Sequence, residues 1–154
     1  MESLAGPTTT ISSSYAGLFP FEADAVHIDA FGLNTPHIAR YGSFDPDGPQ
    51  DSKTDMRWVM DQRPDIIEGY LSGTAVLRGG SADEIVGARR RKMILEMVTS
   101  PTFQREYVFV RNAPYTGLDR AVFLRRDFWE AHPMRAALDC VPVADTALAA
   151  FAGQ

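Results

Sequence analysis

The sequence predicts an α/β fold, with a mixed, partly parallel sheet that is flanked by helices and ends in a C-terminal antiparallel hairpin. Short runs of β-branched and aromatic residues alternate with segments that carry helix-capping signals, in the order β-β-α-β-α-β-β. Helices between strands are typical of parallel strands that the helices cover. The last two strand-like runs are separated by one short turn, which favours an antiparallel pair.

The first two strands are predicted near the N-terminus. Residues 8–14 are β-branched and polar, and residues 25–29 form a second short run. Thr35 and Pro36 then mark a helix entrance, because a threonine hydroxyl can accept from free backbone amides and proline suits the first helical position. A short helix is therefore expected after the second strand.

A second helix and a third strand follow. Ser52 and Asp55 resemble a capping box with Asp in place of the usual Glu or Gln, and they predict a helix through Met60. Pro64 stops this helix, since the residue before a proline avoids the α region. Residues 65–70 are predicted to form the third strand.

The next helix is predicted from a second capping box. A connection with three glycines, residues 71–80, precedes Ser81 and Glu84, which open a helix that Pro101 ends. The basic run at residues 89–92 within this helix suits phosphate or anionic lipid head groups, or else a solvated helix face.

Two strands and a tail complete the prediction. Residues 107–111 and 121–126 have the composition of a final antiparallel pair. We expect one α/β domain over residues 1–134. Residues 135–154 are rich in alanine and are expected to form a tail, either a terminal helix or a loosely packed end.

Composition argues against several classes of function. The chain has 154 residues, close to the commonest size of one domain, and its formal net charge of -5 disfavours a nucleic-acid partner, which needs a positive field. Cys140 is the only cysteine, so neither an intrachain disulfide nor a cysteine metal cluster is expected. No apolar run approaches the roughly 20 residues that cross a bilayer. The N-terminus does not have the pattern of a signal peptide, so with Met1 as the natural start the chain is expected in the cytoplasm.

The three histidines show no metal-binding spacing. His27, His37 and His132 are scattered, and the glycine-rich phosphate motifs are missing, so neither a metal nor a cofactor is predicted. His27 is expected to be a structural residue on its strand. His37 and Asp29 both lie near the end of the second strand and could form an acid–base pair, although no motif places a nucleophile beside them.

The best candidate surface is the end of the second strand, because strand ends of open α/β sheets form ligand crevices. The candidate ligand-binding residues there are Asp29, Asn34, His37 and Arg40. The alternative is that Asp29 and Arg40 form a structural bridge that locks the corner between strand and helix.

The run from Val26 to Arg40 resembles a pattern in polytopic bacterial glycosyltransferases of the GT-C class. The pattern is a hydrophobic strand, Asp, two residues, Gly-Leu, Asn or Thr, a short spacer and Ile-Ala-Arg. Families similar to protein mannosyltransferases, aminoarabinose transferases and mycobacterial arabinofuranosyltransferases share it. The step from Arg63 to Asp65 and the final hairpin are similar too, so the resemblance covers residues 8–130. One departure is Thr35, which stands where family members often carry Asp.

This resemblance implies a noncatalytic accessory domain on the extracytoplasmic, or periplasmic, side of a membrane. In that family, catalysis uses acidic residues in a loop between early transmembrane helices, and the sugar arrives on a polyprenyl phosphate. Neither those helices nor that loop is in this sequence, so the resemblance implies that the chain binds a glycan or peptide acceptor, or packs against the membrane-embedded part of a glycosyltransferase. Tyr15 is a candidate for stacking on a sugar ring, and Arg40 for contacting phosphate.

Two other functions stay open at this stage. One is a small stand-alone enzyme that uses Asp29 and His37. The other is a protein-interaction module, for which the sequence leaves the oligomeric state open.

Overall fold

The computed structural model describes residues 4–13, 24–44, 53–68, 71–86, 91–112 and 120–152. The described strands are β1 Thr10–Ser13, β2 Val26–Asp29, β3 Ser43–Phe44, β4 Lys53–Thr54, β5 Ile66–Glu68, β6 Tyr107–Val110, β7 Val122–Arg125 and β8 Cys140–Pro142. Six of them form one sheet in the order β2-β1-β5-β7-β6-β8, and β3 pairs separately with β4.

Parallel and antiparallel strands meet within the sheet. β1 runs parallel to β2 on one side and to β5 on the other, whereas β7 is antiparallel to both β5 and β6. The predicted fold class is therefore confirmed, including the antiparallel hairpin of β6 and β7. The carboxyl ends of β1, β2 and β5 share one edge of the sheet, which is where open α/β sheets commonly bind ligands.

The described α-helices are short. They are α1 Pro36–Tyr41, α2 Met56–Asp61, α3 Gly73–Leu77, α4 Ala82–Val86, α5 Arg91–Val98, α6 Pro101–Glu106 and α7 Arg126–Ala131. Three 3-10 helices lie near the C-terminus, at Pro133–Ala137, Val143–Asp145 and Ala147–Phe151. None of the described helices is long and apolar enough to span a membrane.

Local capping chemistry explains where several helices begin. The Asp55 carboxylate accepts a hydrogen bond from the Trp58 amide at 3.0 Å, so Asp55 itself caps α2, while Ser52 lies outside the described residues. Ser81 and Glu84 form the predicted capping box in front of α4. In this box the Glu84 carboxylate accepts from the Ser81 amide at 2.8 Å, and the Ser81 hydroxyl accepts from the Glu84 amide at 3.4 Å.

Three described α-helices, α3, α6 and α7, lie where the sequence predicted none, and a serine begins two of them. Pro101 follows α5, as expected, but it also occupies the first turn of α6, which the Ser100 hydroxyl caps. The expected glycine-rich connection contains α3, and the Ser72 hydroxyl caps it by accepting from the Ala75 amide at 3.0 Å. In both places a single serine begins a helix that is too short to show an apolar period.

Two hydrophobic cores lie on opposite faces of the sheet, because neighbouring residues of a strand point to opposite sides. The strand residues of the larger core include Ile28, Ile67, Phe109 and Phe123. Those of the smaller core are Ile11, Ile66, Val108, Val110, Val122 and Leu124. Phe128 and Trp129 of α7 pack against the smaller core.

The C-terminal residues pack as part of the sheet and core. β8 pairs with β6, and Val143, Leu148 and Phe151 are buried in the larger core. The prediction of a terminal helix or a loosely packed tail from residue 135 is therefore wrong. The buried residues lie on short 3-10 helices, so they lack the regular spacing that marks an amphipathic α-helix.

Candidate functional site

The corner after β2 is built around the buried carboxylate of Asp29. Its Oδ1 accepts from the Phe31 amide at 2.9 Å, and its Oδ2 accepts from the Asn34 amide at 3.0 Å. The Asp29 amide in turn donates to the Thr35 hydroxyl at 2.9 Å. Because Asp29 is fully buried, these bonds supply the polar contacts that a buried carboxylate needs.

Gly32 makes this corner possible. Its φ of 76° lies in the left-handed region that favours glycine. A Cβ at this position would lie 2.8 Å from Cγ2 of Ile38, so a larger residue would also press on α1. The Asp and Gly of the sequence motif are thus explained by a loop that folds back on the end of its own strand.

Two expectations about this corner are wrong. Asp29 and Arg40 do not form a bridge, since both Asp29 oxygens accept from backbone amides. Arg40 is exposed, and its guanidinium carbon lies 5.9 Å from the ring centroid of Tyr41. Thr35 precedes α1 but does not cap it with its side chain, because the hydroxyl accepts from the Asp29 amide.

His37 lies in a half-exposed cluster where α1 meets α2. Its ring stacks on Trp58 with a centroid distance of 4.4 Å and an interplanar angle of 10°, and the Tyr41 ring lies 5.1 Å away. His37 Nε2 is 3.3 Å from Asp55 Oδ2, and the two side chains are 33% and 29% exposed. The structure therefore pairs His37 with Asp55, and does not bring it into a hydrogen bond with Asp29.

A second polar group crosses the carboxyl ends of the parallel strands. In the sheet register, Ser13 of β1 is opposite both Asp29 of β2 and Glu68 of β5. Paired residues point to the same face of a sheet, so these three buried side chains form one row. Burial raises the pKa of the Glu68 carboxyl.

His27 joins this row through a hydrogen bond of 2.7 Å between its Nε2 and the Ser13 hydroxyl oxygen. Burial lowers the pKa of His27, and the Asp29 charge offsets part of that shift. Sequence reasoning treated His27 as a structural residue and missed its partner on the neighbouring strand. The available signal was strand alternation, which places His27 and Asp29 on the same face.

Of the two remaining predicted site residues, Asn34 and Tyr15, the structure describes only Asn34. Asn34 is exposed, and its amide belongs to the Asp29 corner. Tyr15 lies outside the described residues, so its stacking role stays a prediction. Within the ranges that the structure describes, no group of three or more His, Cys, Asp or Glu side chains could hold a metal ion.

The fold and the site together define a mixed α/β domain with a polar row at one sheet edge and a half-exposed cluster of aromatic rings and a carboxylate beside it. The chain belongs to the family described as Domain of unknown function (DUF8728), which it matches over residues 1–135. No curated protein and no solved structure matches the chain.

Proposed function

We propose that this chain is a noncatalytic binding domain that serves a membrane glycosyltransferase, and that it holds a glycan acceptor against four residues. These residues, which we term the aromatic cluster, are His37, Tyr41, Asp55 and Trp58. The observation that carries the proposal is the flat stack of His37 on Trp58, with the Asp55 carboxylate beside the imidazole.

The aromatic cluster has the chemistry that a sugar requires. A sugar presents apolar C–H faces as well as hydroxyl groups, and the partly exposed rings of His37 and Tyr41 offer surfaces for the former. The Asp55 carboxylate can accept a hydrogen bond from a hydroxyl group, and the imidazole can donate or accept one. A few polar groups beside apolar and aromatic side chains are typical of small-ligand sites.

Arg40 extends the cluster toward a phosphate-bearing ligand. It is exposed and adjoins the Tyr41 ring. A guanidinium group can donate two parallel N–H bonds to phosphate oxygens. A polyprenyl-phosphate sugar could therefore place its phosphate at Arg40 and its sugar ring on Tyr41.

Two contacts favour binding over turnover. Asp29, the carboxylate that the sequence offered for acid–base chemistry, is fully buried, and its oxygens accept from backbone amides. Among the described residues, the hydrogen-bond and ring contacts of His37 go to the Asp55 carboxylate and to the rings of Tyr41 and Trp58, and none goes to a serine, threonine or cysteine side chain.

An NMR titration tests the proposal. Manno- and arabino-oligosaccharides should cause saturable shifts in the amide signals of α1 and of the first turn of α2. Tyr41→Ala should weaken binding by about tenfold, because an aromatic stacking surface is lost. The matched control is Leu77→Ala, which removes another exposed apolar side chain, on α3. Absence of saturable shifts, or an equal loss in the control, would refute the glycan site.

A second candidate function rests on the contact between His37 and Asp55. A carboxylate beside a half-exposed imidazole can orient it for general acid–base work, so a small enzyme of this site would use Asp55 where the sequence suggested Asp29. Turnover of glycosyl or acyl esters that disappears in both His37→Gln and Asp55→Asn, with the fold intact, would favour this function. Saturable glycan binding without turnover would exclude it.

A further inference from the structure

The segment around α1 exposes an unusual amount of apolar surface. Among the described residues, five large hydrophobic side chains are more than half exposed, and three of them lie between residues 33 and 44. Leu33 is 77% exposed, Tyr41 66% and Phe44 61%. Single exposed apolar residues are ordinary on a protein surface, but several of them in one short segment indicate a surface that binds a partner.

Cationic side chains lie beside two of these apolar residues, Phe44 and Tyr41. The Lys53 ammonium lies 5.8 Å from the ring centroid of Phe44 and donates to the Ala39 carbonyl at 3.0 Å. Lys92 of α5 donates to the Ser43 hydroxyl, also at 3.0 Å, which places its charge beside β3. Arg40 adjoins Tyr41 on α1. Three positive charges therefore lie beside Tyr41, Ser43 and Phe44 on a chain whose formal net charge is -5.

We propose that this basic-aromatic face docks on the surface of an anionic lipid bilayer. The face consists of Leu33, Arg40, Tyr41, Phe44, Lys53 and Lys92. Aromatic rings prefer the level of the lipid head groups, and lysine and arginine side chains reach the lipid phosphates while their stems cover apolar surface. A bilayer satisfies the apolar and the cationic parts of the face together, which a free phosphate does not.

This proposal does not rest on the glycan site. Leu33, Phe44, Lys53 and Lys92 are not among the residues assigned to the glycan site, so the two functions can be tested separately. Only Tyr41 and Arg40 adjoin both surfaces. The variants that test the bilayer contact are therefore placed at Phe44 and Lys92.

The acidic residues of the neighbouring segment provide an internal check on charge. Asp45, Asp47 and Asp51 follow β3 in the sequence and lie outside the described residues. If the face binds anionic lipid, replacing all three by Asn should strengthen the binding, because the change removes three negative charges from a protein that must approach an anionic surface. Weaker binding after this change would contradict the proposal that the face binds negatively charged lipid.

Vesicle co-sedimentation tests the proposal directly. The protein should pellet with vesicles made of equal parts phosphatidylcholine and phosphatidylglycerol, and should stay in solution with phosphatidylcholine alone. Lys92→Gln should weaken binding by about fivefold, the effect expected of one cation at an anionic surface. Phe44→Ser should weaken it by about tenfold through lost apolar contact. Leu77→Ser, an exposed apolar change on α3, is the matched control and should bind as the parent protein does.

The remaining outcomes each count against the proposal. Equal pelleting with neutral vesicles would overturn the proposal, because the cations would then have no role. No pelleting with anionic vesicles would also overturn it and would favour a protein partner on this face. Excess glycerol phosphate should not release the bound protein, because a single phosphate offers no apolar surface. Full release by glycerol phosphate would reveal an isolated phosphate site instead of a bilayer contact. Circular dichroism of each variant checks that the fold is retained.

Discussion

The hydroxyl oxygen of Ser13 and Nε2 of His27 lie 2.7 Å apart on neighbouring parallel strands. The bond joins β1 to β2 near the sheet edge where Asp29 and Glu68 are also buried. Burial lowers the pKa of His27 and raises the pKa of Glu68, so it favours the neutral form of both groups. Each group therefore makes the free energy of unfolding depend on pH, and substitutions at His27 and at Glu68 can separate the two effects.

Acidification should destabilise the fold through His27. Burial lowers its pKa below 6.5, so as the pH falls past 6.5 the unfolded chain takes up a proton that the folded chain does not. The free energy of unfolding therefore decreases until the pH reaches the folded-state pKa. Urea unfolding at about pH 7, 6 and 5 measures the slope. His27→Gln should flatten it. An unchanged slope in His27→Gln would contradict the assignment.

Replacing Glu68 by Gln should stabilise the fold at neutral pH. Because burial raises the pKa of Glu68 above 4.5, its contribution to stability is complete below pH 4.5 and is lost as the pH rises through the raised pKa. Glutamine keeps the shape of the side chain and does not ionise, so the melting temperature at neutral pH should rise and the gain should vanish in acid. The exposed Glu130→Gln is the control and should change little. A lower melting temperature for Glu68→Gln at neutral pH would show that the fold needs this charge.

The corner after β2 shows what could be predicted from the sequence. Local signals predicted the main elements. Runs of β-branched residues predicted the strands, and Pro36 at a helix start and Pro64 at a helix end predicted helix boundaries. The alternation of strands and helices then predicted the mixed sheet. The hydrogen-bond partners of Asp29 and His37 could not be predicted, because sequence spacing does not show which of several nearby groups each side chain will bond. Backbone amides of the tight turn occupy Asp29, and Asp55 approaches His37 from 18 residues away.

A buried threonine offers a direct test of unsatisfied polar groups. Thr54 is 2% exposed, and its hydroxyl has no hydrogen-bond partner in the described part of the chain. Valine has nearly the same shape without the hydroxyl, so Thr54→Val should raise the free energy of unfolding by about 1 kcal/mol.

Thr146 supplies the opposite case for the same substitution. Its hydroxyl donates to the Val143 carbonyl at 2.7 Å and accepts from the Leu148 amide at 3.2 Å. Thr146→Val should therefore lower the free energy of unfolding by about 1 kcal/mol. Chemical denaturation of both variants gives the comparison. Changes of the same sign in the two proteins would show that β-propensity or packing, and not the hydroxyl, decides the effect.

The C-terminal residues should be as sensitive to mutation as the centre of the sheet. Leu148 lies beyond the family match, which ends at residue 135, yet it is fully buried, and its carbonyl accepts from the Gln104 side chain at 3.0 Å. Leu148→Ala should lower the free energy of unfolding by about 2–5 kcal/mol, since it leaves a cavity in the larger core. Leu77→Ala, at an exposed leucine, should change it by less than about 1 kcal/mol. Thermal and urea unfolding measure both variants. A loss for Leu148→Ala no larger than that of the exposed control would restore the interpretation of residues 135–154 as a loosely packed tail.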